Sequence, residues 1–593
     1  MPPLRQQIAQ NLLLAAATGS MASCASPLDR ADESDLRHSI VNSAAREIRE
    51  AEAQGHTVTT QREQRVDKLQ LPPEVLAELE RTTGPVSYQG INPDLGPSLL
   101  GTPQTYIPVN LQRVVVTTVQ NNLGVQFARI APAVTEQRIT AAEAAFDWTV
   151  FANTQWQRFD EPIVQNGFGS PAATQNQQIG GTAGIRRRLT TGGSFVVQQQ
   201  VGYNDNTFNQ PFVSVPSPNP SNQSQLTLQL DQPLLRGFGT DANLAEVRIA
   251  QNAERDDIQQ LKATLIQTVT DTETAYWRLV QTNAELQITK RLLQRGEEVL
   301  TIINARPFET KIAQRSDAVA TVEQRRAEVI RAENNVRLAS DRLKQLINDP
   351  ELTVGGEVLL LPVDRPPDEP IRFSLLEMIA MALANRPEIQ RAVLAIDDAS
   401  IRQLVADNQR LPLLDLRAQT RFTGLKGNMD DALSQEIGNS NTSFISYLVG
   451  LNFEQQIGNR GPEAQALARR LEKSQAVIAY RDVVQRVVVD LKTQLRAIEA
   501  SFRLIEQTRA ARIAAAENVR ALSVAEITVQ ELTPEFLDLK FRRQQALAGA
   551  EIAESDALTS YNTAIARLYG AVGTALERNR IKFEVPTASG SRP

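Results

Sequence analysis

Histidine and cysteine are nearly absent from this chain, with two of the first and one of the second in 593 residues. His38 and His56 both stand near the N-terminus, so neither a Ser-His-Asp triad nor a His/Cys zinc site has the parts it needs. No GxxxxGK[ST] phosphate loop and no HExxH pair occurs. Adjacent carboxylates do occur, Asp256 with Asp257 and Glu297 with Glu298, but in charged helical stretches where such pairs are ordinarily solvated surface. The composition therefore does not read as an enzyme and implies no metal and no cofactor. No basic stripe with interleaved aromatics appears, and with a net charge of -6 this argues against nucleic acid. No run of eighteen apolar residues occurs either, which excludes a membrane-spanning helix but not a spanning β-barrel.

What the chain has instead is helix composition. Aromatics are 5% of residues, while Ala, Gln, Arg, Glu and Leu crowd 241–348 and 462–580. Val484, Val488, Leu491, Leu495, Ile498, Phe502 and Ile505 step by four and three, the seam of a supercoiled helix that needs a partner. A looser seam runs through Ile258, Leu261, Leu265, Val269, Thr272, Tyr276 and Leu279. One helix from 241 to about 305 would be on the order of 100 Å long, far more than a globular core requires. At the start, residues 1–23 carry one basic residue and a short apolar run, the pattern of an export signal. The following "MASC" resembles a bacterial lipoprotein signal with Cys24 as the acylated residue; the alternative is an ordinary signal with Cys24 incidental.

Between the helical stretches, apolar and polar residues alternate. Leu414, Leu416, Ala418, Thr420 and Phe422 form one face of a strand, and Asp415, Arg417, Gln419 and Arg421 the other. One face suits lipid and the other suits an aqueous lumen. Ile445, Tyr447, Val449, Leu451 and Phe453 alternate in the same way, as do Leu226, Leu228 and Leu230 with Thr227, Gln229 and Asp231. The organisation is a repeat: residues 111–155 align without a gap on 375–419, and the even offset of 264 preserves strand faces. Two strands per half give about four per chain. Four strands cannot close, and open edges are not tolerated in hydrocarbon, so the chain must oligomerise through its strand edges. Residues 160–221 hold "AGIRRRLTTGGSFVVQQQVGYND", a strand hairpin about Gly192 and Gly193. Because the second half lacks it, an extracellular hairpin prolonging the barrel is expected rather than two more wall strands.

The repeated halves, "QPLLRGFG" before a long helix, "AYWRL" within it and "SYNTAIARLYGAVGT" closing the last helix together resemble TolC-type outer-membrane efflux proteins over residues 106–575. The resemblance implies an α+β membrane protein: a homotrimer whose strands make one twelve-stranded barrel in outer-membrane lipid and whose helices continue as a coiled-coil tunnel across the periplasm. It also implies a passive exit duct of a tripartite efflux or type I secretion system, with a periplasmic adaptor protein and an inner-membrane pump as partners. Pro233, Gly237 and Gly239 then mark the turn from barrel to tunnel. Asp317, Glu535 and Asp538 match the family's acidic positions at the periplasmic gate, while Lys311 and about Val529 stand near its usual turn glycines. The expected division is a signal peptide (1–23), an N-terminal periplasmic extension (24–105), repeat one (106–350), a linker (351–373), repeat two (374–575) and a tail (576–593). The rival from another class is a lipid-anchored coiled-coil structural protein of the envelope, which explains the seams but not the alternating strands.

Overall fold

The computed structural model describes residues 42, 45–50, 57–60, 65–88, 93–96, 101, 103–163, 172–208, 217–305, 312–438, 444–528 and 533–584. The segment 1–23, Cys24, Lys311 and Val529 lie outside the described residues. Six strands form one antiparallel sheet: β1 (Thr149–Ile163), β2 (Ala172–Arg188), β3 (Ser194–Phe208), β4 (Ser221–Pro233), β5 (Leu413–Lys426) and β6 (Phe444–Glu454). Their spatial order is their chain order, so the sheet is an up-and-down meander interrupted between β4 and β5 by the long helices and between β5 and β6 by one short helix. At 11 to 17 residues, every strand is at least as long as the nine to eleven or so residues that cross a bilayer.

This corrects the expected strand count and the expected place of the hairpin. The first half contributes four strands, not two, and β2 and β3 are full members of the sheet, paired along their lengths with β1 and β4. The turn at Gly192 and Gly193 does not prolong an outer end. It lies at the helix-proximal end of the sheet, where a Cβ on Gly192 would stand 2.1 Å from the carbonyl oxygen of Gly237. The sequence pattern misled because the second half has no counterpart, and period-two alternation specifies a strand without saying which neighbours it pairs with.

The ladders run without a bulge, so each row across the sheet presents side chains to one face. Val150, Ile185, Val197, Leu228, Thr420 and Tyr447 make one row, and the next row, on the opposite face, is Phe151, Gly184, Gln198, Thr227, Arg421 and Ser446. Trp148 and Trp156 share the apolar face and are half or more exposed. Eight residues apart, they are separated by about 27 Å along the strand, close to the roughly 25 Å height of the apolar band of an outer-membrane barrel. Arg187 lays its guanidinium over the Trp148 ring at 5.5 Å, a basic and aromatic pair suited to an interface. The connection from β5 to β6 folds a short helix back onto the apolar face near its far end, where Ala432 is fully buried and leaves no room for a Cβ on Gly424. There the buried Glu436 accepts from Gln199 Nε2 at 2.9 Å and from Ser224.

The main helices are α1 (Pro73–Thr83), α2 (Leu111–Asn121), α3 (Leu123–Glu143), α4 (Ala245–Ala305), α5 (Ile312–Ile347), α6 (Leu375–Asn385), α7 (Pro387–Gln409), α8 (Met429–Glu436, the short helix on the sheet), α9 (Arg460–Thr528) and α10 (Pro534–Val572). The starts of α2 and α6, of α3 and α7, and of β1 and β5 are each separated by the same 264 residues. Local chemistry sets several ends. Asn110 caps α2 by accepting from Arg113 N at 2.9 Å, Thr533 caps α10 ahead of Pro534, and Gly573 ends α10 at a φ of 85° that favours glycine.

At about 1.5 Å per residue, α4 with 61 residues is roughly 90 Å long and α9 with 69 roughly 100 Å. The regular seam on α9 is buried throughout, each of its seven residues 4% exposed or less, against Leu558, Tyr561, Ile565 and Leu568 of α10 and Ile379 and Ile389 of α6 and α7. Each such side chain contributes about 1.5–3 kcal/mol. The looser seam of α4 changes partner along its length. Leu261, Leu265 and Val269 pack on Val115, Val119 and Val125, whereas Tyr276 and Leu279 pack with Val329, Val336 and Leu343 of α5. Two helical hairpins, α4 with α5 and α9 with α10, result.

The N-terminal extension is laid across both hairpins. Thr57–Thr59 pairs antiparallel with Arg372–Ser374, and Thr105–Val109 pairs parallel with Val358–Pro362. Between these strands, Leu79 of α1 packs on Ile513, Ala516 and Leu547, Tyr88 on Ala284, Ile288 and Ala548, and Leu95 among Val329, Val336 and Tyr276.

Candidate functional site: the polar face of the sheet and the hairpin tips

Asp415, Arg417, Gln419 and Arg421 occupy alternate positions of β5 and share the polar face with Asp231 of β4. Arg417 Nε donates to Asp231 Oδ1 at 2.6 Å, and Gln229 Nε2 donates to Asp231 Oδ2 at 2.5 Å. Charge therefore concentrates at the helix-proximal end of this face, where Arg186 and Arg188 of β2 stand in neighbouring rows. The alternation put Asp231 on the right face; its pairing with Arg417 needed the register, which joins strands nearly two hundred residues apart.

The turn from sheet to helix is a locked junction. Pro233 ends β4 opposite Asp415, and the ladder is extended by Leu234 N to Leu414 O at 2.7 Å. Gly237 and Gly239 then take φ values of 81° and 104°. Their backbones are held from three elements. Asn408 at the end of α7 accepts from Gly237 N at 2.7 Å, Gly239 N donates to Thr191 O at 3.2 Å, and Asn243 Nδ2 donates to the carbonyls of both glycines at 2.8 and 2.9 Å. Asn243 and Asn408 escaped the sequence reading because each acts through space, and Gly192, read there only as a hairpin turn, meets Gly237 through space as well. Gly192→Ala is expected to destabilise the sheet by about 1–3 kcal/mol, since it adds a Cβ against Gly237 O at a φ of 95°. A fall in the thermal midpoint of the β-sheet circular dichroism signal checks this; an unchanged midpoint would show the junction to be slack.

At the other end, Asp317 lies on the first turns of α5 and Glu535 and Asp538 on those of α10, all exposed. The two hairpin tips meet in one apolar cluster of Val299, Ile303, Ala318 and Leu537, so Asp317 on one hairpin and the acidic pair on the other flank the same contact. Asp538 is ion-paired with Arg542 on its own helix. Lys540 closes the second hairpin by bonding Glu526 at 2.6 Å, and Arg315 closes the first by donating to Asn304 Oδ1 at 2.8 Å.

Just above the tips, Arg325 crosses from one hairpin to the other. It is 2% exposed and donates to Leu292 O and Gln544 Oε1, both at 3.0 Å, and to Phe541 O at 3.3 Å, with its guanidinium 5.2 Å from the Phe541 ring. Gly296 makes the room, since a Cβ there would stand 2.9 Å from the guanidinium. Burial, opposed by Glu328, pushes the Arg325 pKa down to about 10, so the group is still charged at neutral pH. The sequence offered no sign of it; one arginine in a charged helix looks like every other.

A sheet with one apolar and one polar face, continuous with helices of roughly 100 Å, is the architecture of an outer-membrane channel. The chain has the fold of TolC-type outer-membrane efflux channels. It is similar to the CmeC outer membrane channel of Campylobacter jejuni, with 14% identity and a TM-score of 0.56, covering 82% of this chain and 92% of that one. It is also similar to the open state of the MtrE outer membrane channel of Neisseria gonorrhoeae, with 16% identity, a TM-score of 0.53 and coverage of 79% and 89%. The outer membrane protein VceC of Vibrio cholerae is 13% identical, with a TM-score of 0.55 and coverage of 78% and 96%. No protein-family model and no curated protein sequence matches the chain.

Proposed function

We propose that this chain is the outer-membrane exit duct of a tripartite efflux or type I secretion system, a homotrimer that conducts solutes passively across the outer membrane and periplasm. The observation that carries the reading is the six-stranded meander with opposite faces apolar and polar and its two outer strands, β1 and β6, each paired on one side only among the described residues. Unpaired backbone in hydrocarbon costs several kcal/mol per group, so these edges need partners, and β1 of one copy laid beside β6 of the next continues the antiparallel order. Outer-membrane lipid then meets the apolar face, and the helices line a periplasmic tunnel. Energy comes from an inner-membrane pump joined through a periplasmic adaptor, and Cys24, if acylated, adds a lipid anchor. The repeats at 106–350 and 374–575 supply the wall, and 24–105 girdles it.

Asp317, Glu535 and Asp538 form the periplasmic gate in this reading, three copies of each making a cation-binding constriction. The test is the mass of the purified protein in detergent with its single-channel conductance in a planar bilayer. A trimer of small conductance is expected, and Glu535→Ala/Asp538→Ala should enlarge the conductance or blunt its block by divalent cations. A conducting trimer indifferent to the substitutions would discard the gate and keep the duct. A monomer without conductance would leave the lipid-anchored coiled-coil protein as the better reading.

A further inference from the structure

The lumen-facing rows of the sheet differ in charge along its height. At the helix-proximal end they hold Arg188, Asp231 and Arg417. Towards the far end amides, hydroxyls and glycines predominate, with Asn153, Thr182, Gln200, Gln225 and Thr423 in a row that ends on Phe444, Gln157, Gln178 and Asn204 in another, and Phe159 and Glu161 of β1 at the positions beyond. The inserted strands β2 and β3 supply a large share of this uncharged surface. They also lengthen the wall. Their ladders to β1 and β4 are continuous over 15 and 11 residue pairs, the geometry of wall strands and not of a plug folded into the lumen.

We infer that β2 and β3 widen the outer-membrane pore, so that its barrel admits large uncharged polar solutes that a twelve-stranded barrel excludes. The inference rests on the trimeric duct proposed above. Three copies of a six-stranded sheet, closed edge to edge, make eighteen strands. Barrel diameter grows roughly linearly with strand number, so the barrel is about 1.5 times as wide as one of twelve strands and about twice as large in cross-section, in the range of strand numbers that leaves an aqueous channel. Uncharged amide and hydroxyl rows hydrogen-bond a neutral polar chain without selecting ions. Removing an adjacent pair of strands preserves antiparallel order, because β1 and β4 run in opposite directions and can pair.

The experiment compares the full chain with a variant in which residues 164–220 are replaced by a short Gly-Ser turn. Each is placed in a planar bilayer, and polyethylene glycols of graded mass are added on the barrel side only. In the native protein, polymers well above the cutoff of the variant should enter the barrel and lower the conductance. Equal cutoffs would overturn the inference. Should the variant fail to fold, electron cryomicroscopy of the native trimer decides: eighteen wall strands support the inference, and twelve with β2 and β3 outside the wall overturn it. A protein that neither trimerises nor conducts would instead overturn the proposed function, a result distinct from either.

Discussion

Arg512→Ala should detach the N-terminal strap from the second hairpin and cost about 3–5 kcal/mol, the range for removing one partner of a buried ion pair. Arg512 is fully buried on α9. Its Nε donates to the fully buried Glu554 of α10, one terminal nitrogen donates to Thr83 Oγ1 at 3.0 Å and the other to Glu80 Oε2 at 2.7 Å on α1. Burial disfavours its charge, but Glu554 and Glu80 outweigh that and hold the guanidinium above its ordinary range. Arg509 would remain, donating to Glu554 at 3.1 Å, so the loss falls mainly on the strap. The measurement is hydrogen exchange across residues 73–88, which should speed up more than tenfold while α9 and α10 away from residue 512 keep their protection. Arg512→Lys should fall between the two, since an ammonium keeps the charge but cannot serve three acceptors in a fork. Unchanged exchange in Arg512→Ala would show that the apolar contacts of Leu79 alone hold the strap.

Arg325→Ala should act on the tips. The native side chain satisfies two carbonyls and Gln544 at a buried cationic bridge between α5 and α10, and its loss strands those acceptors and opens a cavity beside Gly296. A cost of about 2–4 kcal/mol follows from the unpaired polar groups and the void. Because the bridge joins one hairpin to the other, that energy is withdrawn from the contact between the tips in particular. If the proposed duct is gated at these tips, the expected result is a higher open probability or larger conductance at unchanged assembly mass. Arg325→Met, which refills the volume without the donors, separates the two contributions: if it conducts like Ala, the hydrogen bonds hold the tips, and if like the native protein, packing does.

The long helices and the faces of the strands were legible because both depend on periodicity, a local property. Every residue of the α9 seam is buried, and the residues read as polar on β5 share one face of the sheet. The 264-residue offset was legible as well, and six element starts fall on it. The role of 25–105 was not, because its contacts are with residues hundreds of positions away: Thr83 with Arg512, Leu95 with Arg337. Nor was the buried charge, since a composition that reads as solvated helix says nothing of which arginine faces inward.

Period and composition thus determined the elements, their faces and the exclusion of site chemistry that needs histidine or cysteine. Tertiary structure alone decided how many strands share the sheet, which end the Gly192 turn occupies, and which arginines tie the hairpins together. The physical reason is the same in each case. Side-chain alternation and heptad spacing are properties of consecutive residues, while strand neighbours and buried ion partners are chosen by which distant surfaces exclude water together.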